Sequence, residues 1–267
     1  MRALKLIQIL EIANTKFPFD CSEPWDNSGI QVGDLERDIK NIAFSLDANP
    51  STIRFAKENS CELLITHHPI LLNPVKKIVA SDLSGQTLFF AIASNVDVVS
   101  LHTNLDAAQG GLNDYLADLL GLLDVVTPED ASCARLGTIA QPMTLVSFRD
   151  LVKQRLLLES AAMICDGVED QETVSRVFLA SGSGASYLPV AIRTKADVMV
   201  TGDVRYHAAV DARRSGLPII DAGHFGMEKH AIKLMADTFK REFEGIGLEI
   251  VCHECPFEMD PLVPQKN

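Results

Sequence analysis

The chain has 267 residues, enough for one large or two moderate domains, and 47% of them are hydrophobic, which supports a substantial core. A formal net charge of −12 argues against a sequence-independent electrostatic grip on nucleic acid or on an anionic membrane. Six cysteines over this length lack the density of a secreted disulfide scaffold and read as reduced thiols.

The first segment, residues 3–12, is apolar but interrupted by Lys5, Gln8 and Glu11, the pattern of an amphipathic helix rather than a signal peptide. No window approaches a membrane span, so the cytoplasm is the simplest location. Apolar runs that read as strands then follow at 41–46, 61–66, 96–101, 135–140, 161–165, 174–180, 197–201, 217–221 and 248–252. Helical patterns lie between them at 52–59, 86–94, 112–120, 148–157, 187–193, 204–213 and 227–242. This alternation is the sequence form of an α/β protein with largely parallel sheets. The loop Thr127-Pro128-Glu129-Asp130 separates two βα-rich halves and is read as a domain boundary.

Three polar clusters carry the chemistry, and each closes an apolar strand-like run. The first is Thr66-His67-His68-Pro69. Inside a strand, neighbouring histidines would point to opposite faces, but at a strand end that constraint lapses. Pro69 then biases His68 toward an extended conformation. Taken alone, the pair reads equally as metal ligands or as one satisfied core histidine beside one solvated loop histidine. The second cluster is His102-Thr103-Asn104-Leu105-Asp106, and the third runs from Asp221 through His224 to Glu228. If the chain is helical beyond Phe225, His224 and Glu228 share a face.

Together these ends offer His67, His68, His102, Asp106, His224 and Glu228, a mixture of imidazole and carboxylate suited to zinc, iron or manganese. One ion does not need so many ligands, so a site for two divalent ions per chain is favoured. Against the carboxylates of Asp106 and Glu228, two such ions would leave a surplus of about two positive charges, which suits a small anionic substrate.

Weaker signals remain. Ser181-Gly182-Ser183-Gly184 has the form of a phosphate-cradling loop, although a tight turn is the better reading. His102 and His207 are candidates for proton transfer, with a surface histidine an equal reading of His207. Trp25, with Asp26 and Asn27, reads as a folded loop anchoring the entry to the sheet. Cys252 and Cys255 form a CxxC pair with no second pair at zinc-finger spacing.

The segments Trp25-Asp26-Asn27-Ser28-Gly29-Ile30-Gln31-Val32-Gly33, Thr66-His67-His68-Pro69, His102 through Asp106, Thr201-Gly202-Asp203, and Asp221-Ala222-Gly223-His224 followed by Glu228 together resemble the GTP cyclohydrolase I type 2 family, the NIF-three-like dinuclear-metal proteins. The resemblance implies metal ligation by His67, His68, Asp106, His224 and Glu228, with Glu228 bridging and Asp106 a second candidate bridge. His102 becomes a residue beside the site. It also implies a homohexameric ring and a first α/β domain of residues 1–126 plus 225–267, closed around an inserted second α/β domain, 127–224. The metal site is expected in the crevice at the carboxyl ends of the strands. Asp203 stands where the family usually has glutamate, and Phe225-Gly226-Met227 replaces a more usual aromatic, small residue and threonine.

The activity implied is hydrolysis of GTP, opening the purine ring with release of formate. A metal-dependent phosphoesterase or other small-molecule hydrolase is the second reading, and a non-catalytic metal-binding ring acting as a scaffold is the third.

Overall fold

The computed structural model describes residues 3–165 and 173–262. Contacts divide the chain into two compact units, Met1–Ala108 with Ala231–Glu258, and Gln109–His230 with Met259–Asn267. Up to Ala108 the elements are β1 (Leu4–Lys5), α1 (Leu6–Lys16), β2 (Gly29–Val32), β3 (Asp38–Ile39), β4 (Asn41–Ser45), α2 (Pro50–Glu58), β5 (Leu63–Thr66), α3 (Leu83–Ser94), β6 (Asp97–Ser100) and α4 (Thr103–Ala107). The second unit holds α5 (Leu112–Leu120), β7 (Leu123–Val126), β8 (Arg135–Thr144), α6 (Leu145–Arg155), β9 (Ala162–Ile164), β10 (Thr173–Leu179), α7 (Leu188–Arg193), β11 (Val198–Thr201), α8 (Tyr206–Ser215), β12 (Ile219–Asp221) and α9 (His224–Glu228). The chain then returns to the first unit through α10 (His230–Gly245) and β13 (Val251–Glu254).

The first unit is built on a five-stranded sheet in the order β13-β4-β5-β6-β2. Its strands run parallel except β2, which pairs antiparallel with β6. The continuous burial of β5 and β6 follows from helices covering both faces, so no polar alternation survives. On one face Ala43, Leu64 and Val98 pack with Ile53 and Ala56 of α2 and Ala91 of α3. On the other, Phe44 meets Phe239 of α10 with ring centroids 5.7 Å apart. Helix α2 starts where the sequence dictates: Pro50 fills the first turn, and the Asn49 side chain accepts hydrogen bonds from Ser51 N and Thr52 N.

The second unit carries a six-stranded sheet, β7-β8-β10-β11-β12-β9. Only β10, β11 and β12 run parallel; β7, β8 and β9 pair antiparallel with their neighbours. The sheet is therefore mixed, and parallel pairing is confined to its centre. The strands show why: Val177–Leu179 of β10, Val198–Val200 of β11 and Ile219–Ile220 of β12 are buried apolar runs, whereas β8 and β9 are half exposed, as antiparallel outer strands can be. Phe178, Met199 and Ile219 of this sheet pack with Leu188 and Ala191 of α7 and Ala212 of α8.

Several expected boundaries shift by a few residues, and two elements differ more. The helix expected over 227–242 is two helices, α9 and α10, divided at Lys229. The last strand lies at Val251–Glu254 rather than 248–252, because the Schellman-like turn after α10, with Leu248 N bonded to Phe243 O, extends the connection.

Candidate metal centre

In the first unit the ends of β5 and β6 bring three imidazoles together. His67, His68 and His102 each offer a ring nitrogen within 4.8 Å of the others. Their ring centroids are 5.1 Å (His67–His68), 5.2 Å (His67–His102) and 5.6 Å (His68–His102) apart. The backbone beyond β5 continues the ladder for two residues, with His67 N donating to Ser45 O and His68 N to Leu46 O. Ser100 Oγ donates to His67 O and Thr66 Oγ1 to His68 O, which closes the turn into Pro69. His67 is wholly buried, and its Nε2 lies 3.9 Å from Asp106 Oδ1.

Each imidazole is held from behind by an oxygen. His67 Nδ1 bonds Leu101 O at 2.8 Å, His68 Nδ1 bonds Asp47 Oδ1 at 2.8 Å, and His102 Nδ1 bonds Asp26 Oδ1 at 2.7 Å. A carbonyl or carboxylate can only accept, so Nδ1 carries the hydrogen and Nε2 keeps its lone pair. That is the arrangement by which outer groups orient metal-binding histidines.

The second unit repeats the device. Gly223, at φ +74°, turns the chain from β12 into α9, and its N–H donates to Asp221 Oδ1. His224 Nδ1 bonds Asp203 Oδ2 at 2.8 Å, and its Nε2 lies 2.7 Å from Glu228 Oε2, one helical turn away. Asp203 itself sits at φ +53°, a strained conformation for a non-glycine residue that aims its carboxylate at the ring. The hydrogen bond to Glu228, with Asp203 beyond it, outweighs burial and raises the His224 pKa to about 9.

The glycine loop after β10 belongs to the same half. Gly182 has φ +59°, and a Cβ there would fall on Glu228 Oε1. Gly184 N donates to Thr201 Oγ1, and Ser181 N donates to Asn113 Oδ1. Those N–H groups are satisfied within the protein, so the loop is a tight turn seating Glu228 rather than a phosphate cradle.

His207 stands exposed on α8, its ring 5.4 Å from that of Tyr206. Trp25 departs from the buried anchor expected of it, since it is 58% exposed. The anchor of that loop is its neighbour Asp26, whose side chain is fully enclosed. Burial pushes the Asp26 carboxyl up, but hydrogen bonds from His102, Thr103 and Ser28 outweigh it and hold the group well below the usual carboxylate range. Burial raises the Cys252 thiol to about 12 and the Cys255 thiol to about 11, the opposite of the lowered values that redox or zinc thiolates need.

Sequence reasoning missed Asp26, Asp47 and Asp203 as the partners of the histidines. Among the described residues no helix is long and apolar enough to cross a membrane.

Comparison with known proteins places these features in a family. A protein of Clostridium perfringens named GTP cyclohydrolase 1 type 2 homolog is 32% identical over 96% of this chain and 99% of its own length. One of Helicobacter pylori named GTP cyclohydrolase 1 type 2 is 30% identical over 86% of this chain and 89% of its own. The crystal structure of a Bacillus cereus protein related to NIF3 superposes with a TM-score of 0.90 at 21% identity, covering 98% of this chain and 99% of the other. The model of the Duf34/NIF3 (NGG1p interacting factor 3) family matches residues 4–261, and the chain belongs to that family.

Proposed function

We propose that the chain is a divalent-metal-dependent hydrolase working at a two-ion centre, with GTP its first candidate substrate. His67, His68, Asp106, His224 and Glu228 would hold the ions. The observation that carries this reading is the shared setting of the imidazoles: His67, His68, His102 and His224 are each fixed at Nδ1 by an oxygen, which turns Nε2 inward, toward the other rings in the first three and toward Glu228 in His224. Zinc, iron and manganese all suit such donors. When bound, the ions supply Lewis acidity and a water whose pKa is drawn toward neutrality.

The remaining work falls to the chain. Asp26 fixes the His102 ring so that Nε2 is free to give or take a proton. With GTP, a water would add to C8 of the purine, His102 Nε2 taking its proton and passing it to the ring nitrogen as the C8–N bond breaks, and a second water would hydrolyse the resulting formamide to release formate; His207 is the second candidate for that proton transfer. The carboxylates of Asp26, Asp47 and Asp203 offset the positive surplus counted from the ligands alone, so substrate recognition rests on placed contacts more than on net charge. The names of the relatives support the GTP reading. A homohexameric ring in the cytoplasm completes the proposal.

The test is formate release from GTP by protein loaded in turn with zinc, iron and manganese. Formate that disappears in Asp106→Ala supports the cyclohydrolase. Phosphate released from a panel of esters and lost in His67→Ala, without formate, replaces it with a phosphoesterase, and no turnover with any metal leaves a scaffold. Light scattering on the eluting protein decides the hexamer.

A further inference from the structure

We propose that Trp25 is a stacking platform that selects, for the site described above, ligands carrying a planar heteroaromatic ring. The inference rests on that site being a ligand-binding centre but not on the reaction it performs. Trp25 is the chain's one tryptophan, and it is 58% exposed. A large aromatic residue gains more from burial than almost any other side chain, so leaving it open beside a polar cluster needs a reason. Its ring centroid lies 5.9 Å from that of His102, with the planes at 76°, which puts the indole next to the three-imidazole group.

The exposure does not come from a loose loop. Asp26 N donates to Glu23 O, and Glu23 N donates to Thr103 Oγ1, so the backbone is tied down before the indole. After it, the enclosed Asp26 carboxylate accepts from Asn27 N, Ser28 Oγ, His102 Nδ1 and Thr103 N. Asn27 Nδ2 then donates to Leu71 O at 2.6 Å. These bonds hold the backbone on both sides of Trp25 while the indole is left outward. Such a surface favours a flat partner, because a π face stacks on any heteroaromatic ring without needing particular hydrogen bonds, and the ordering entropy has already been met by the fold. Asp26 thus serves both sides of the site, orienting His102 with its carboxylate and setting Trp25 with its backbone.

The lone tryptophan makes the test direct. Zinc-loaded full-length protein is titrated with guanosine, GTP, ribose 5-phosphate and tripolyphosphate while tryptophan emission is followed. Saturable quenching by guanosine and GTP, with none by ribose 5-phosphate or tripolyphosphate, is the expected result. Equilibrium dialysis should find guanosine binding about tenfold weaker in Trp25→Leu, about 1.4 kcal/mol, and nearly unchanged in Trp25→Phe, with zinc content equal in all three proteins. Quenching without formate release would sink the cyclohydrolase and leave this inference standing. Absence of quenching, or equal guanosine affinity in Trp25→Leu, overturns it. An emission maximum that moves to the blue with rising protein concentration, together with loss of self-association in Trp25→Leu, also overturns it, because a second copy of the chain would then be what covers the indole.

Discussion

Asp26 Oδ1 lies 2.7 Å from His102 Nδ1, a bond between residues 76 positions apart that ties the loop before β2 to the end of β6. The same carboxylate takes four further hydrogen bonds, from Asn27 N, Ser28 Oγ, Thr103 N and Thr103 Oγ1, so its negative charge is shared by the loop. Asp26→Asn should cost about 2 kcal/mol in urea unfolding at pH 6–7 through the loss of a charged acceptor in an enclosed site. The group's pKa is depressed by folding, so its contribution is present above the unfolded value near 4 and is lost as pH falls below it. The difference between wild type and variant should therefore shrink steadily from about pH 4 downward; a gap that stays constant into strong acid would mean the charge is not what matters.

Asp47 and Asp203 stand behind His68 and His224 in the same way. Replacing either with alanine should weaken zinc binding by about ten- to a hundredfold, the range found for outer partners of metal-binding histidines, while the fold survives. Competition against a fluorescent zinc chelator measures this. Because Asp203 is held at φ +53°, where asparagine is tolerated, Asp203→Asn should recover part of the affinity that alanine loses.

Gly182 offers a test that changes no polar group. At φ +59° and with Glu228 Oε1 where a Cβ would go, Gly182→Ala must strain the turn and displace the carboxylate. The expected outcome is at least about 1 kcal/mol of lost stability together with a lower zinc content, read by thermal melting and elemental analysis on one preparation. Gly216→Ala, at φ +72° with nothing near its Cβ, should pay the backbone strain and keep its zinc.

Away from the site, Asp97 at the start of β6 is buried and pairs with Arg37 at 2.8 Å. Burial raises its pKa even though Arg37 opposes the shift. A raised carboxylate contributes its stability below the unfolded pKa, near 4, and loses it as pH climbs through the folded value. Arg37→Met removes the opposing charge, so the loss should grow with pH, reaching about 3 kcal/mol at pH 8 and much less at pH 5. A pH-independent loss would show that Arg37 acts through packing alone.

The strands at the centre of both sheets were legible because parallel, doubly covered strands read as unbroken apolar runs, and the histidine clusters stood out at their ends. Helix α5 was placed residue for residue because Gly121, in the left-handed conformation, marks its end. The short β1 and β3, and β2 in the motif around Gly29, were not legible, since two to four residues carry no usable period. In the site, the donors could be listed from sequence but not their supporting oxygens. Asp26, Asp47 and Asp203 look like ordinary loop acids, and only the fold reveals which ring each one faces. Trp25 was misread for a related reason: tryptophan's usual burial is a tendency of the residue type, while its exposure here follows from a loop whose anchor is the next residue.

The central claim is the two-ion centre, and metal stoichiometry tests it most directly. Elemental analysis of full-length protein reconstituted with zinc and freed of excess should give about two ions per chain, falling sharply in Asp106→Ala and in Glu228→Ala while circular dichroism stays unchanged. Two ions fully retained in both variants, or no zinc bound by the wild-type chain, would contradict the account.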